Sequence, residues 1–321
     1  MQYIFLSHDV DWRRQGPPVE HILERKDRFD SKIFEKTKPE DLYRNIPEYI
    51  EIQEKLGVRS TFFFRTIYEN GNLIDYEDDI KQLQESNWEI GLHTDPTSID
   101  DAEKIRLEKE KLESITKKSI FGNRVHFLNY NSELLNKLEK LDFSYDSSLR
   151  HSKDRIDEKE MCYSRFNGMI EFPVTLMDAY LFTHMGINEE GIIPEFKKTL
   201  EIGRKFSNEN VISVIWHDNV LKMRGGRMYK KILEFLTSQD DVVISKGIDV
   251  MKIKEDDIIA EFQKTLDIGR KQSEKNVISV IWHDNVLKMK GGRMYKKILE
   301  FLISQEDVRI CRGIDVVKSF T

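Results

Sequence analysis

Gln2–His8 is apolar on both faces, with Ile4 and Leu6 on one side and Tyr3 and Phe5 on the other. A strand covered on both faces of a parallel sheet reads this way. A helical pattern follows over Pro39–Leu56 and closes at Gly57. Ser60–Arg65 reads as strand, Glu77–Ser86 as helix and Glu89–His93 as a short strand. Ile99–Lys117 is a highly charged helix, with Ser98 or Asp100 placed to cap it. Its Glu and Lys residues at i, i+4 spacing support a solvated helix rather than a partner-binding one. Ser119–His126, Phe143–Ser147 and Glu171–Leu176 read as strands, with a helix over Ser132–Leu141. Val211–Trp216 is a further strand, followed by a helix over Met228–Thr237 and a strand at Val242–Ile244. Alternating β and α units predict a parallel sheet with right-handed crossovers. Seven or eight such strands predict an α/β fold, a (β/α) barrel that is complete or distorted. Chemistry in such barrels gathers at the C-terminal ends of the strands.

The segment Ile192–Ile253 recurs as Ile258–Ser319, offset by 66 residues, with about 48 of about 62 aligned positions identical. The block from Asn210 to Met223 returns unchanged from Asn276, and the block from Gly225 to Leu236 returns from Gly291. Two copies are too few for a solenoid. The pattern is a tandem copy of the last helix–strand–helix–strand unit. Residues 1–257 are then expected to be a complete domain, and 258–321 a surplus copy of 192–253. That copy must bury its apolar face on the first copy, in place of it, or in a homodimer contact.

Composition narrows the function. Lys plus Arg is 51 and Asp plus Glu is 57 in 321 residues, a net charge of −6. No basic excess exists to neutralise nucleic-acid phosphates. Charged residues make up 34%, mean hydropathy is −0.55, and no apolar run approaches the ~20 residues of a membrane span. The chain reaches His8-Asp9 directly after Met1–Leu6, with no pattern of an export signal. Cys162 and Cys311 cannot build a disulfide framework or a cysteine metal site. A reducing, cytoplasmic setting is the expectation.

Polar residues cluster at the strand ends. Asp9 and Asp11 stand where the first strand runs out, and their i, i+2 spacing puts both carboxylates on one face. His93 ends the strand at 89–92, Arg124 and His126 end the next, and Asp146 follows Phe143-Ser-Tyr. Asp178 lies beyond Glu171–Leu176, and His217 follows Val211–Trp216. Each alone reads as a cap or rim residue; the joint pattern reads as a site. His8, by alternation, points away from Asp9 and reads as a core residue.

These residues carry a resemblance. Ser7-His-Asp-Val-Asp, Glu89-Ile-Gly-Leu-His-Thr, Gly122-Asn-Arg-Val-His-Phe, Tyr145-Asp-Ser-Ser-Leu, Glu171-Phe-Pro and Ile215-Trp-His-Asp-Asn, in this order, resemble the polysaccharide deacetylases of the NodB-homology type (carbohydrate esterase family 4). The His-Asp-Val-Asp and Trp-His forms are most similar to the branch associated with surface-polysaccharide and O-antigen biosynthesis. The resemblance covers about residues 2–253. It implies a distorted (β/α) barrel, one divalent metal (zinc first, cobalt or nickel next) and hydrolysis of an N-acetyl or O-acetyl group on a sugar. Asp9 then matches the catalytic base, Arg124 the arginine that orients it and His217 the general acid. Asp11 and His93 match metal ligands. Asp146 and Trp216 stand where substrate contacts are expected.

Three departures bear on this reading. The family's second metal histidine would fall at Thr97, and a hydroxyl is a poor zinc ligand. Asp95 or water could fill the gap, and His126, in the place of a usual proline, could point at the metal or the substrate. The duplication supplies a second Trp282-His283, and His283 would replace His217 if the second copy closed the barrel. The alternatives are a non-catalytic carbohydrate-binding relative, an amidohydrolase acting on a small cyclic amide, and an assembly role for the duplicate.

Overall fold

The computed structural model describes residues 1–166, 168–206, 210–273, 275–280 and 291–311. The chain divides into two compact units, Met1–Val250 and Met251–Thr321.

The first unit is organised by its first strand. β1 (Gln2–Val10) is buried along almost its whole length. Its alternation separates two environments. Ile4, Leu6 and Val10 join the main apolar cluster shared with the helices, whereas Phe5, Ser7 and Asp9 face the opposite side. Ring packing of Phe5 with Phe63, Tyr145 and Phe172, at centroid distances of 5.5–6.4 Å, fills that inner side. Gly122 is required there, because a Cβ would fall 2.2 Å from the Tyr145 hydroxyl.

The elements then alternate as the sequence predicts. α1 (Val19–Glu24) and α2 (Ile46–Lys55) precede β2 (Thr61–Phe64), and α3 (Glu77–Glu85) precedes β3 (Glu89–Thr94). α4 (Ala102–Thr116) leads to β4 (Gly122–Val125), and α5 (Leu134–Lys140) to β5 (Tyr145–Asp146). β6 (Ser164–Phe166), β7 (Met169–Glu171) and β8 (Leu176–Met177) follow. α6 (Glu189–Phe206), β9 (Asn210–Ile215), α7 (Tyr229–Thr237) and β10 (Val242–Ser245) complete the sheet. Its order is β6-β7-β5-β4-β3-β2-β1-β9-β8, with β10 paired to the start of β1. All pairings are parallel except β6–β7. Among the described residues no pairing joins β8 to β6, so the barrel is distorted and open.

Several boundaries differ from expectation. The helix expected over Pro39–Leu56 is a short 3-10 turn at Pro39–Asp41 followed by α2. Residues 171–176 do not form one strand: β7 ends at Glu171 and β8 begins at Leu176, with Pro173, which cannot donate a ladder bond, between them. The cap of α4 is Asp101, whose carboxylate accepts from the backbone N–H of Glu103 at 2.9 Å, not Ser98 or Asp100. β6 carries no sequence signal that distinguishes it from a loop.

The second unit contains most of α8 (Gly247–Gln272) and all of α9 (Gly291–Ile303). Leu266, Ile298 and Leu302 form its small core, with Phe262, Phe301 and Val308 against them.

Candidate metal centre

The site lies at the C-terminal ends of β1, β3, β4 and β9. Asp9 ends the inward face of β1, and Asp11 follows one residue beyond that strand. His93 is on β3, paired in register with Arg124 on β4. His126 follows β4 two residues after Arg124, on the same inward side, and the backbone then passes through the left-handed region at Phe127 (φ 62°) and Leu128 (φ 53°).

Three of these side chains converge. Asp11 Oδ1 is 3.2 Å from His93 Nε2 and 3.2 Å from His126 Nδ1, and the two ring nitrogens are 3.2 Å apart. Tetrahedral zinc with bonds of about 2.05 Å sets its ligand atoms about 3.3 Å apart, so this triangle has the size a metal requires. Its chemistry agrees. His93 Nδ1 is 2.9 Å from the Arg124 carbonyl. A carbonyl only accepts, so Nδ1 carries a proton and Nε2 is the nitrogen left to offer a lone pair to a metal. A carboxylate oxygen and two imidazole nitrogens around one point fit a cation. Burial pushes the Asp11 carboxyl up, but His126, His217 and His93 outweigh it and hold it well below the usual carboxylate range.

Beside the triangle stands a buried base. Asp9 is 3% exposed, and Arg124 Nη1 donates to Asp9 Oδ1 at 2.7 Å. Burial raises the Asp9 pKa, yet Arg124, His93 and His217 together outweigh it, and the net direction is down. Arg124 has no exposed surface. It also donates to Ser7 Oγ, the Ser147 carbonyl and Ser147 Oγ at 2.8–2.9 Å, and its guanidinium lies over Phe63 at 4.4 Å. Four hydrogen bonds and a ring face thus fix its position.

Opposite is a charged imidazole. His217 Nδ1 is 2.6 Å from Asp178 Oδ1, and the His217 backbone N–H donates to Asp178 Oδ2 at 2.8 Å. His217 Nε2 faces Asp11 Oδ2 at 3.7 Å. Burial lowers the His217 pKa, but Asp178 and Asp11 outweigh it and raise it to about 10. Asp218, next in the chain, is buried and pushed well above the usual carboxylate range by that burial and by Asp11.

No family model and no curated protein matches the chain. Solved structures do. A polysaccharide deacetylase from Mycobacterium smegmatis, described as putative, superimposes with a TM-score of 0.55 at 17% identity, over 88% of this chain and 95% of that one. A probable polysaccharide deacetylase from Pseudomonas aeruginosa PAO1 gives 0.54 at 15% identity, over 78% and 90%. An allantoinase gives 0.56 at 12% identity, over 78% and 89%. The chain has the polysaccharide-deacetylase fold. The expected resemblance thus holds at the level of architecture, a level that an allantoinase shares.

On this deacetylase fold the residues anticipated from sequence meet different fates. Asp9, Asp11, His93, Arg124, His126 and His217 come together. Asp95 does not join the metal group: it accepts from Thr97 Oγ1 at 2.7 Å and lies 3.3 Å from Arg65 Nη2. Thr97 is therefore spent on Asp95. Asp146 and Trp216 have no exposed surface, so neither side chain is available to a substrate. Asp146 instead accepts from Asn123 Nδ2 at 2.7 Å and Ser148 Oγ at 2.9 Å behind the site. His283 lies outside the described residues. His8 is fully buried, near Gln53 and Tyr229, and burial lowers its pKa to about 3.

One anticipated residue had no assigned role, and one was missing. Asp178, expected at a strand end, sets the charge of His217. Arg65 donates to the Asp11 carbonyl at 3.1 Å, and a basic residue ending Ser60–Arg65 was the hint.

Proposed function

We propose that the chain is a metal-dependent hydrolase that removes an acetyl group from a sugar. The observation that carries this is the convergence, at one rim of a deacetylase fold, of the Asp11–His93–His126 triangle, the Asp9–Arg124 pair and the Asp178-bound His217. Residues 1–257 are the catalytic domain in this reading. A divalent cation, zinc by donor type, would be held by Asp11, His93 and His126; when bound it supplies polarisation of the acetyl carbonyl and a more acidic water.

The chain's own residues supply the rest. Asp9, kept anionic by Arg124, accepts the proton of the attacking water. His217, kept protonated by Asp178, faces the site from the other side and donates a proton to the departing sugar nitrogen or oxygen. The two groups are suited to opposite roles because their surroundings drive their pKa values apart. Surface-polysaccharide biosynthesis, in a cytoplasmic setting, is the context that the sequence motifs favour.

Acetate release from N-acetylated and O-acetylated sugars tests the reading. Asp9→Asn should lower the rate by about 10²–10⁴-fold while leaving metal content unchanged. An Asp9→Asn enzyme of undiminished rate, or turnover of a cyclic amide in place of the sugar, overturns it.

A further inference from the structure

A cleft of about 330 Å³ opens beside the metal centre, lined by Phe127, Tyr180 and the loop Arg150–Lys153, among others. Its lining contains Arg150, His151 and Lys153 and neither Asp nor Glu. The loop is built around a buried carboxylate. Glu160, with no exposed surface, accepts from the backbone N–H groups of His151 and Ser152 at 2.8 and 3.1 Å and lies 3.6 Å from Arg150 Nε. Arg150 donates to the Val174 and Thr175 carbonyls at 3.0 and 2.8 Å and lies over the Tyr180 ring at 4.8 Å. Glu160 thus balances Arg150, and Asp154 accepts from Ser152 Oγ at 2.7 Å. Lys153 is exposed and has no ion-pair partner among the described residues.

The lining also holds an aromatic ring kept exposed at an energetic cost. Phe127 is 79% exposed. It and Leu128 have positive φ angles, which cost about 1–3 kcal/mol each in residues other than glycine and concentrate at functional sites. The Phe127 ring lies against the His126 imidazole at 3.8 Å, so the cleft lining touches the metal triangle.

We propose that this cleft binds a sugar ring carrying an anionic substituent, a carboxylate or a phosphate, with the ring between Phe127 and Tyr180 and the charge at Lys153. The inference rests on the deacetylase reading and narrows it to acidic or phosphorylated sugars.

Calorimetric titration of the zinc-loaded full chain with glucuronate, glucose 6-phosphate and glucose tests it, beside Lys153→Glu. At least one acid should bind about tenfold tighter than glucose; which of the two does so identifies the substituent. Lys153→Glu should abolish that preference with metal content unchanged. Equal binding of all three sugars, or no binding, overturns the proposal. So does a preference that survives Lys153→Glu, since the metal would then be reading the charge. Acetate release separates the two ideas: a Lys153-dependent preference without release from any sugar sinks the deacetylase reading alone, and release without the preference sinks this one alone.

Discussion

The two copies of the repeated segment begin their strand region with the same five residues, Asn-Val-Ile-Ser-Val, and only the first copy makes a strand of them. In β9, Val211, Ile212 and Val214 are at most 1% exposed and pair with β1. Their counterparts Val277, Ile278 and Val280 are 36–52% exposed, and residues 275–280 form no strand. The helical parts behave differently. Leu266, Ile298 and Leu302 form a core in the second unit as Leu200, Ile232 and Leu236 do in the first. Arg270 pairs with Asp307 as Arg204 pairs with Asp241. Helix-to-helix contacts are available within the copied segment itself. A parallel strand needs β1 as neighbour, and there is one β1. Strand preference here is a property of the slot, not of the five residues.

The comparison can be broken at its catalytic residue first. His217→Ala should cost about 10²–10⁴-fold in rate, and His283→Ala about twofold or less. Asp178 is the reason, since it precedes the copied segment and was not duplicated with the Trp-His pair. Comparable losses in the two variants would show that both histidines serve the site.

Matched core substitutions come next. Ile212→Ala should cost about 2–5 kcal/mol of stability, and Ile278→Ala no more than about 0.5 kcal/mol. Urea denaturation of the full chain followed by tryptophan fluorescence reads both. Equal costs would mean that the second segment is buried in solution.

Asp178→Asn sharpens the point through pH. His217 has a folded pKa raised to about 10 from 6.5. Its contribution to stability is therefore fully present below 6.5 and lost as pH rises through about 10. In Asp178→Asn the alkaline limit of activity should move down toward 6.5. An unmoved limit would assign that edge to another group.

The smallest effects belong to the matched surface pairs. Hydrogen bonds from Arg204 and Arg270 lower the pKa of Asp241 and Asp307 respectively. Each pair's contribution is present above the unfolded carboxylate pKa of about 3.9 and is lost as pH falls through the lower folded value. Arg204→Ala and Arg270→Ala should each lower the melting temperature slightly at pH 7, and less in high salt. A large loss from Arg270→Ala would make the second unit's pair more than a surface contact.

Much of the fold was legible because parallel strands buried on both faces and charged helices leave distinct periods. The inward set on β1, Phe5 with Ser7 and Asp9, follows from alternation alone. What failed was set by neighbours. Residues 171–176 look like one strand, yet β7 pairs with β5 and β8 with β9. The third metal-site residue was undecided between Asp95 and His126. Alternation from Arg124 puts His126 on the inward side, whereas the contact of Asp95 with Arg65, 30 residues away, leaves no mark in the local pattern. Asp146 and Trp216 look like rim residues by position, but their polar neighbours Asn123 and Ser148 and the surrounding rings enclose them.

The proposed chemistry depends on Asp11, His93 and His126 acting together as a metal centre. Elemental mass spectrometry of the purified full chain, beside Asp11→Ala and His126→Ala, tests it most directly. About one divalent metal per chain is expected after equilibration with zinc, lost in Asp11→Ala and strongly reduced in His126→Ala. A chain that takes up no zinc, cobalt or nickel, or a His126→Ala variant that keeps its full metal content, would contradict it.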